Sequence, residues 1–308
     1  MEHDARWRLK AAIAFATIYL VWGSTYLAIR IGVQALPPAL FAGLRFVIAG
    51  LLLAGYARLR GQAFPDSRRE WLTHAVVGLA LVAGGNGLVV WGEQWVASNI
   101  AALIVASVAL WIALLGTLGS QGEPLSRATV LGLALGFIGV VLLLAPHGAR
   151  FAGGELAGQL AIALASLSWA AGTIYGRRRK PRTPTLMAAA MQMLIGGAAL
   201  TAVGLIGGET ARWSWDPAGV LALAYLIVFG SCLAFAAYAW LMHEVTPAQL
   251  GTYAYINPAI AVLLGAWLLN ETLDGRQLLG MSVILAGVVV VTNAARRRAR
   301  AAAPETAI

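Results

Sequence analysis

The sequence predicts an all-α polytopic membrane protein of ten transmembrane helices, arranged as two inverted five-helix repeats. Three observations carry that prediction. Of the 308 residues, 60% are hydrophobic and only 11% are charged, too little polar material to clothe a water-soluble core. Apolar runs long enough to cross about 30 Å of hydrocarbon as helix recur along almost the whole chain. Lastly, "EPLSRATVLGLALGFIGVV" from Glu123 returns as "ETLDGRQLLGMSVILAGVV" from Glu271, a displacement of 148 residues.

The first span, 12–31, follows Arg6, Arg8 and Lys10. It is too long for a signal-peptide core and lacks a small-residue cleavage site, so it reads as a retained helix. Its centre is "VWGSTYLAIR". Trp22, Thr25 and Tyr26 share one face there by i, i+3, i+4 spacing, and Gly23 admits a close neighbour. Packing between helices accounts equally well for Ser24 and Gly23.

The second span, 38–57, carries Arg45, the one cation near the middle of any span, and an intramembrane ion is by default a functional hypothesis. Snorkelling to the outer headgroups is its competing reading. The third span, 73–91, holds Asn86 and ends near Glu93, while the fourth, 98–118, holds Trp111. Gly132, Gly136 and Gly139 in the fifth, 128–145, read as close-packing positions, as do Gly280 and Gly287 in the tenth, 277–294.

The sixth span, 157–176, repeats the opening motif loosely as "WAAGTIYGR", so Trp169 is the mate of Trp22 at a shift of 147. The seventh, 185–206, places neutral Gln192 at the position equivalent to Arg45. The eighth, 218–240, contains Cys232, the only cysteine, which excludes an internal disulfide. The ninth, 248–269, carries Tyr253, Asn257 and Pro258; a proline there frees a carbonyl one turn back and permits a hinge. Asn86 and Asn257 are as consistent with helix-to-helix hydrogen bonds as with substrate contacts. Most other tryptophans, Trp7, Trp71, Trp91, Trp95, Trp213 and Trp215, lie at span ends and suit interfacial anchoring, whereas Trp22, Trp111 and Trp169 are too deep for that.

The net charge of +9 does not mark a nucleic-acid binder. With the N-terminus in the cytoplasm, 17 basic residues fall inside, the "RRRK" run at Arg177 and the tail arginines among them, and only Arg150, Arg212 and Arg276 fall outside. The positive-inside rule therefore puts both termini in the cytoplasm. Five spans per unit is odd, so the second copy enters from the opposite side, with Glu123 cytoplasmic and Glu271 external. Inverted repeats of this kind place equivalent residues near the midplane, where alternating-access carriers hold substrate.

At "VWGSTYLAIR", "LRFVIAG", "GNGLVVWGEQ" and "INPAIAVLLGAWLLNETL" the chain resembles the EamA family of the drug/metabolite transporter superfamily and its inner-membrane exporters. The resemblance spans both halves and implies repeats at 11–145 and 157–294, followed by a basic cytoplasmic tail, 295–308. It further implies a central cavity and export of amino acids or related small metabolites. The chain departs from the family pattern in the fourth helix, where Ala97 and Ala109 stand near expected prolines, which puts a kink there in question.

The expected cavity residues are thus Trp22, Thr25, Tyr26, Arg45, Asn86, Trp111, Trp169, Gln192, Tyr253 and Asn257, with Pro258 as hinge. Every Asp and Glu falls in a loop or at a span end, so no buried proton-carrying acid is expected, and Glu93 is the nearest candidate for proton coupling. A sugar-phosphate or nucleotide-sugar cargo would need more donors than one arginine. An intramembrane hydrolase would need a buried histidine, yet His3 and His147 lie in aqueous segments and His74 and His243 at span ends. No enzyme activity, cofactor or metal is expected. The expected partners are a small-molecule substrate and the lipid bilayer, with the protein a monomer or homodimer in the inner membrane; a non-transporting receptor or scaffold is the alternative from another class.

Overall fold

Without water to satisfy peptide groups, an apolar chain that crosses hydrocarbon closes its hydrogen bonds within each segment. The computed structural model accordingly has helices and no strand among the residues it describes, 2–118, 126–144, 154–244 and 253–302. In chain order they are α1 (Glu2–Ala35), α2 (Pro38–Leu59) and α3 (Arg68–Gly92), then α4 (Ser98–Leu115) and α5 (Arg127–Leu144). The second series is α6 (Glu155–Arg179), α7 (Thr185–Ile206), α8 (starting at Pro217–Tyr225 and ending with Ala234–Glu244), α9 (Tyr253–Leu269) and α10 (Gly275–Ala302). Among the described residues seven of these are long and apolar enough to cross a membrane, and α5, α9 and α10 contain shorter apolar stretches.

Helix starts follow local chemistry. The Ser67 hydroxyl caps α3 by accepting from Glu70 N at 3.3 Å, and the Asp216 carboxylate caps α8 by accepting from Gly219 N at 2.9 Å, with Pro217 in the first turn. Two other starts are capped across the chain. Glu209 Oε2 accepts from Leu40 N at 2.8 Å at the head of α2, while Glu70 accepts from Arg182 N at 2.6 Å and Thr183 Oγ1 at 2.5 Å before α7.

Packing is reciprocal between the two series. α2 lies along α7 and α5 along α10; α1 packs on α8 and α9, and α6 packs on α3 and α4. Glycines set the closest approaches: a Cβ on Gly287 would sit 2.5 Å from Gly136 N, and one on Gly139 would sit 2.6 Å from Ile284 N. Both α3 and α8 widen into π-helical turns, Leu79–Gly87 and Leu226–Leu233, whose starts are 147 residues apart. The core is built of Phe41, Phe46, Leu103, Leu110 and Met193, whereas Leu59 and Ile206 are each 88% exposed. An outward apolar face with a packed interior is the arrangement that lipid requires.

Three expectations are modified. α1 begins about three turns before the expected span, its charged N-terminal end helical as well. α4 does break, between Val105 and Val108, without proline: Leu110 N turns back to Ser107 O at 2.9 Å and Ser107 N to Ile104 O at 3.0 Å, the tightened i→i−3 pattern. α9 keeps Pro258 inside one unbroken helix. Glu123 lies outside the described residues.

Candidate functional site

The polar face of α1 turns toward the π segment of α8. Trp22 Nε1 donates to Gly230 O, a carbonyl within the π segment, at 3.1 Å, and Ser24 Oγ pairs with Tyr225 OH at 2.6 Å. Thr25 is buried, its hydroxyl donated to Trp22 O at 2.7 Å and its methyl beside Gly230. The Trp22 ring is enclosed by Phe235, Tyr238 and Tyr253 at centroid distances of 5.5, 5.3 and 5.4 Å, an aromatic cluster joining α1, α8 and α9. Gly23 permits the α1–α9 crossing, since a Cβ there would lie 2.7 Å from Ile260 Cβ and 3.3 Å from Asn257 O.

The same exchange occurs on the other side of the molecule. Ser168 Oγ on α6 donates to Ala80 O in the π segment of α3 at 2.8 Å, and Trp169 lies against Gly85 in that segment. Each π segment therefore gives a carbonyl to the first helix of the other series. Asn86 sits in the α3 π segment with its amide donated to Leu81 O at 3.2 Å, bridging the widened turn. Trp111 stacks edge-on against Phe137 of α5 at 4.6 Å, apart from the Trp22 cluster. The Gln192 backbone supports the close approach of Gly78.

Arg45 is 3% exposed, so it does not snorkel. Its Nε donates to Ser231 Oγ at 3.0 Å, its guanidinium lies over Phe46 at 4.5 Å, and Nη1 has no partner. Asn257 is also buried, with Oδ1 unpartnered.

The expectation that no acid is buried is wrong. Span ends are not solvent when neighbouring helices and turns fold over them, and Glu93 is 0% exposed in the turn after α3, with neither carboxylate oxygen hydrogen-bonded. Burial pushes its carboxyl well above the usual carboxylate range; Arg30 and Arg45 pull it down and Glu271 pushes it up. Arg30 Nη1 also donates to the Glu93 carbonyl. Glu70 and Glu209 are buried as well, as the caps described above.

His74, at the start of the third span as expected, is buried, its Nε2 3.0 Å from Thr183 Oγ1. Because Thr183 gives its single proton to Glu70, Nε2 must donate. Among the described residues no group of His, Cys, Asp and Glu is placed to hold a metal.

The model of the EamA-like transporter family matches residues 9–145 and 156–293, both series of helices. The chain belongs to the EamA-like transporter family. Within it, the chain is 40% identical over 284 residues to the uncharacterised inner membrane transporter YedA of Escherichia coli strain K12, covering 91% of this chain and 89% of that protein. It is 25% identical to the uncharacterised transporter YvbV of Bacillus subtilis strain 168, over 96% of this chain and 95% of the other. A solved structure described only as "Crystal structure of protein" superposes with a TM-score of 0.66 at 28% identity, covering 94% and 98% of the two chains. For an EamA-like transporter, the observed junction between the two matched regions is where Arg45, Ser231, Thr25 and Trp22 meet.

Sequence reasoning missed Ser231, Phe235, Tyr238 and the role of Arg30. The first has a visible signal, the polar pair Ser231–Cys232 in an apolar run. The aromatics and Arg30 carry none, because only the fold says which helix faces α1.

Proposed function

We propose that the chain is a secondary transporter of ten transmembrane helices in two inverted repeats, 11–145 and 157–294, that exports amino acids or related small metabolites by alternating access. It sits in the inner membrane as a monomer or homodimer, with both termini and the tail 295–308 in the cytoplasm. No cofactor is required. The observation that carries this reading is the reciprocal exchange between halves: each first helix rests on the third and fourth helices of the other half and takes a carbonyl from its π segment. A pair of matched, interchangeable contacts is what rocking one half against the other needs.

In this reading Trp22, Thr25, Tyr26, Tyr253 and Asn257 line one side of the path, and Asn86, Trp111, Trp169 and Gln192 the other. Arg45 serves anionic groups on the cargo, Glu93 is the site of proton coupling and Pro258 lets α9 bend. Uptake into proteoliposomes against amino acids, amines and nucleosides tests transport, and no counterflow of any of them refutes it. Single cysteines at Glu123 and Glu271 in a Cys232→Ser background test the inversion. An impermeant thiol reagent should label position 271 and not 123 in intact cells; the reverse refutes the topology.

A further inference from the structure

The charged N-terminal extension of α1 shares a cavity with the end of α8. Arg6, Trp7 and Lys10, one turn apart on α1, face Trp240 and Glu244, one turn apart on α8, across about 440 Å³ of space. That volume lies within the roughly 300–1,000 Å³ of small-ligand sites. Trp7 Nε1 donates to Glu244 Oε2 at 2.7 Å, and the Lys10 ammonium lies 5.6 Å from the centroid of the Trp240 ring. Both indoles are half-buried, while Arg6, Lys10 and Glu244 are exposed. Trp7 therefore spends its N–H on a carboxylate, not on headgroup water as a simple interfacial anchor does.

The cavity holds two cations and one carboxylate. A plain anion there would satisfy Arg6 and Lys10 but meet Glu244 as a like charge, and a plain cation would do the reverse. A zwitterion suits all three. Above the cavity, Leu9, Ile13 and Leu20 are 64%, 58% and 60% exposed and fall, by the helical period, on the same side of α1 as Arg6 and Lys10. Thr17 on that side gives its hydroxyl back to Ile13 O at 2.8 Å. An apolar stripe thus runs from a charged cavity toward the hydrocarbon, the shape of a headgroup seat with an acyl track.

We propose that this cavity binds the headgroup of a phosphoethanolamine lipid, with the phosphodiester on Arg6 and Lys10, the primary ammonium on Glu244 and an acyl chain along Leu9, Ile13 and Leu20. Basic pockets between helices at the cytoplasmic side of a membrane hold lipid headgroups in general. Glu244 makes this one selective. A glycerol headgroup brings no ammonium to the carboxylate, and a choline brings no N–H. With the termini in the cytoplasm the lipid belongs to the inner leaflet, and the site does not depend on what the protein transports.

The test is native mass spectrometry of the delipidated full chain in detergent, with dioleoyl phosphatidylethanolamine, phosphatidylglycerol and phosphatidylcholine added at matched concentrations and free phosphoethanolamine as the soluble probe. Wild type should bind the ethanolamine lipid about tenfold or more tighter than the other two, the worth of one hydrogen bond between charged groups. Free phosphoethanolamine, which has no chain to bury, should bind far more weakly than the lipid. The double variant Arg6→Gln, Lys10→Gln should weaken the ethanolamine lipid about 30-fold. Arg68→Gln, Arg69→Gln, which removes two exposed charges at the start of α3, should not change it. Glu244→Gln keeps an acceptor for Trp7 and should bind the glycerol lipid at least as well as the ethanolamine lipid.

Because that reversal is read within one protein, it decides the matter even where the Arg6, Lys10 double variant fails to fold. No preference for the ethanolamine lipid in wild type, or an unchanged preference in Glu244→Gln, would overturn the proposal. So would wild-type affinity in the folded Arg6, Lys10 variant, or an equal loss in the α3 control, which would reduce the effect to general charge attraction. Free phosphoethanolamine binding as tightly as the lipid would put a soluble phosphate compound in the cavity and overturn the lipid assignment.

Discussion

Removing the Glu271 carboxylate should unseat the start of α4. Its oxygens accept from Ser98 N at 2.8 Å, Ser98 Oγ at 2.8 Å and Asn99 N at 3.0 Å, and it lies against Gly265, where no Cβ would fit. The two capped residues are 0% and 1% exposed, so their amides cannot turn to bulk water once the acceptor is gone. Loss of a helix cap costs about 0.5–2 kcal/mol and each buried donor left unsatisfied about 1–3 kcal/mol. The three bonds share one carboxylate and do not add fully, and water can follow a truncation, so Glu271→Ala should cost roughly 3 kcal/mol. Glu271→Gln keeps one acceptor oxygen but turns an amide N–H toward a donor; it should cost about half as much. The assay is unfolding in mixed micelles against the mole fraction of SDS. A wild-type midpoint for Glu271→Ala would refute the capping role, and equal losses in both variants would refute the charge and geometry argument.

Three further outcomes are expected. Gly287→Leu should destabilise the protein by about 1–3 kcal/mol or more in the same assay, because the new side chain meets Gly136 N and Gly132 O, backbone that cannot step aside; an unchanged midpoint would mean α5 and α10 pack less closely than described. Burial raises the Glu93 carboxyl above its unfolded value, so between the two the folded protein binds a proton there more readily than the unfolded chain. Stability should therefore fall as pH rises from the ordinary carboxylate range toward the raised Glu93 value, and Glu93→Gln should flatten that part of the profile. Trp22→Ala and Trp169→Ala should weaken apparent cargo affinity about 2- to 30-fold, the equivalent of losing about 0.5–2 kcal/mol of aromatic contact, at near-normal membrane expression; wild-type transport in both variants would return these rings to packing.

Class, family and the repeat were legible because they are written in quantities a linear chain displays: run length, charge asymmetry and spacing. Arg45 and Glu93 also stood out, since a cation in an apolar run and an acid at its end are rare. What could not be read was burial at the span ends. Glu93, Glu70, Glu209 and His74 all look exposed when depth is judged by position along one helix, yet each is covered by a helix or turn remote in sequence. The break in α4 was hidden for a similar reason, because it comes from tightened backbone bonds at Ser107 rather than from a residue that forbids helix. The aromatic enclosure of Trp22 depends on which face of α8 meets α1, and neither helix records that alone.

The cap on Leu40 sets a timetable for the ribosome. Glu209 lies 169 residues after the amide it serves, and α7, whose Leu194 and Thr201 fill the notches at Gly50 and Gly43, is also made late. At about 5–20 residues per second, roughly 8 to 34 s separate the synthesis of α2 from the arrival of its partners. Throughout that interval the Leu40 amide is without its carboxylate cap and the notches at Gly43 and Gly50 are without the side chains that later fill them. Final assembly of α2 is therefore completed only after most of the chain has been translated.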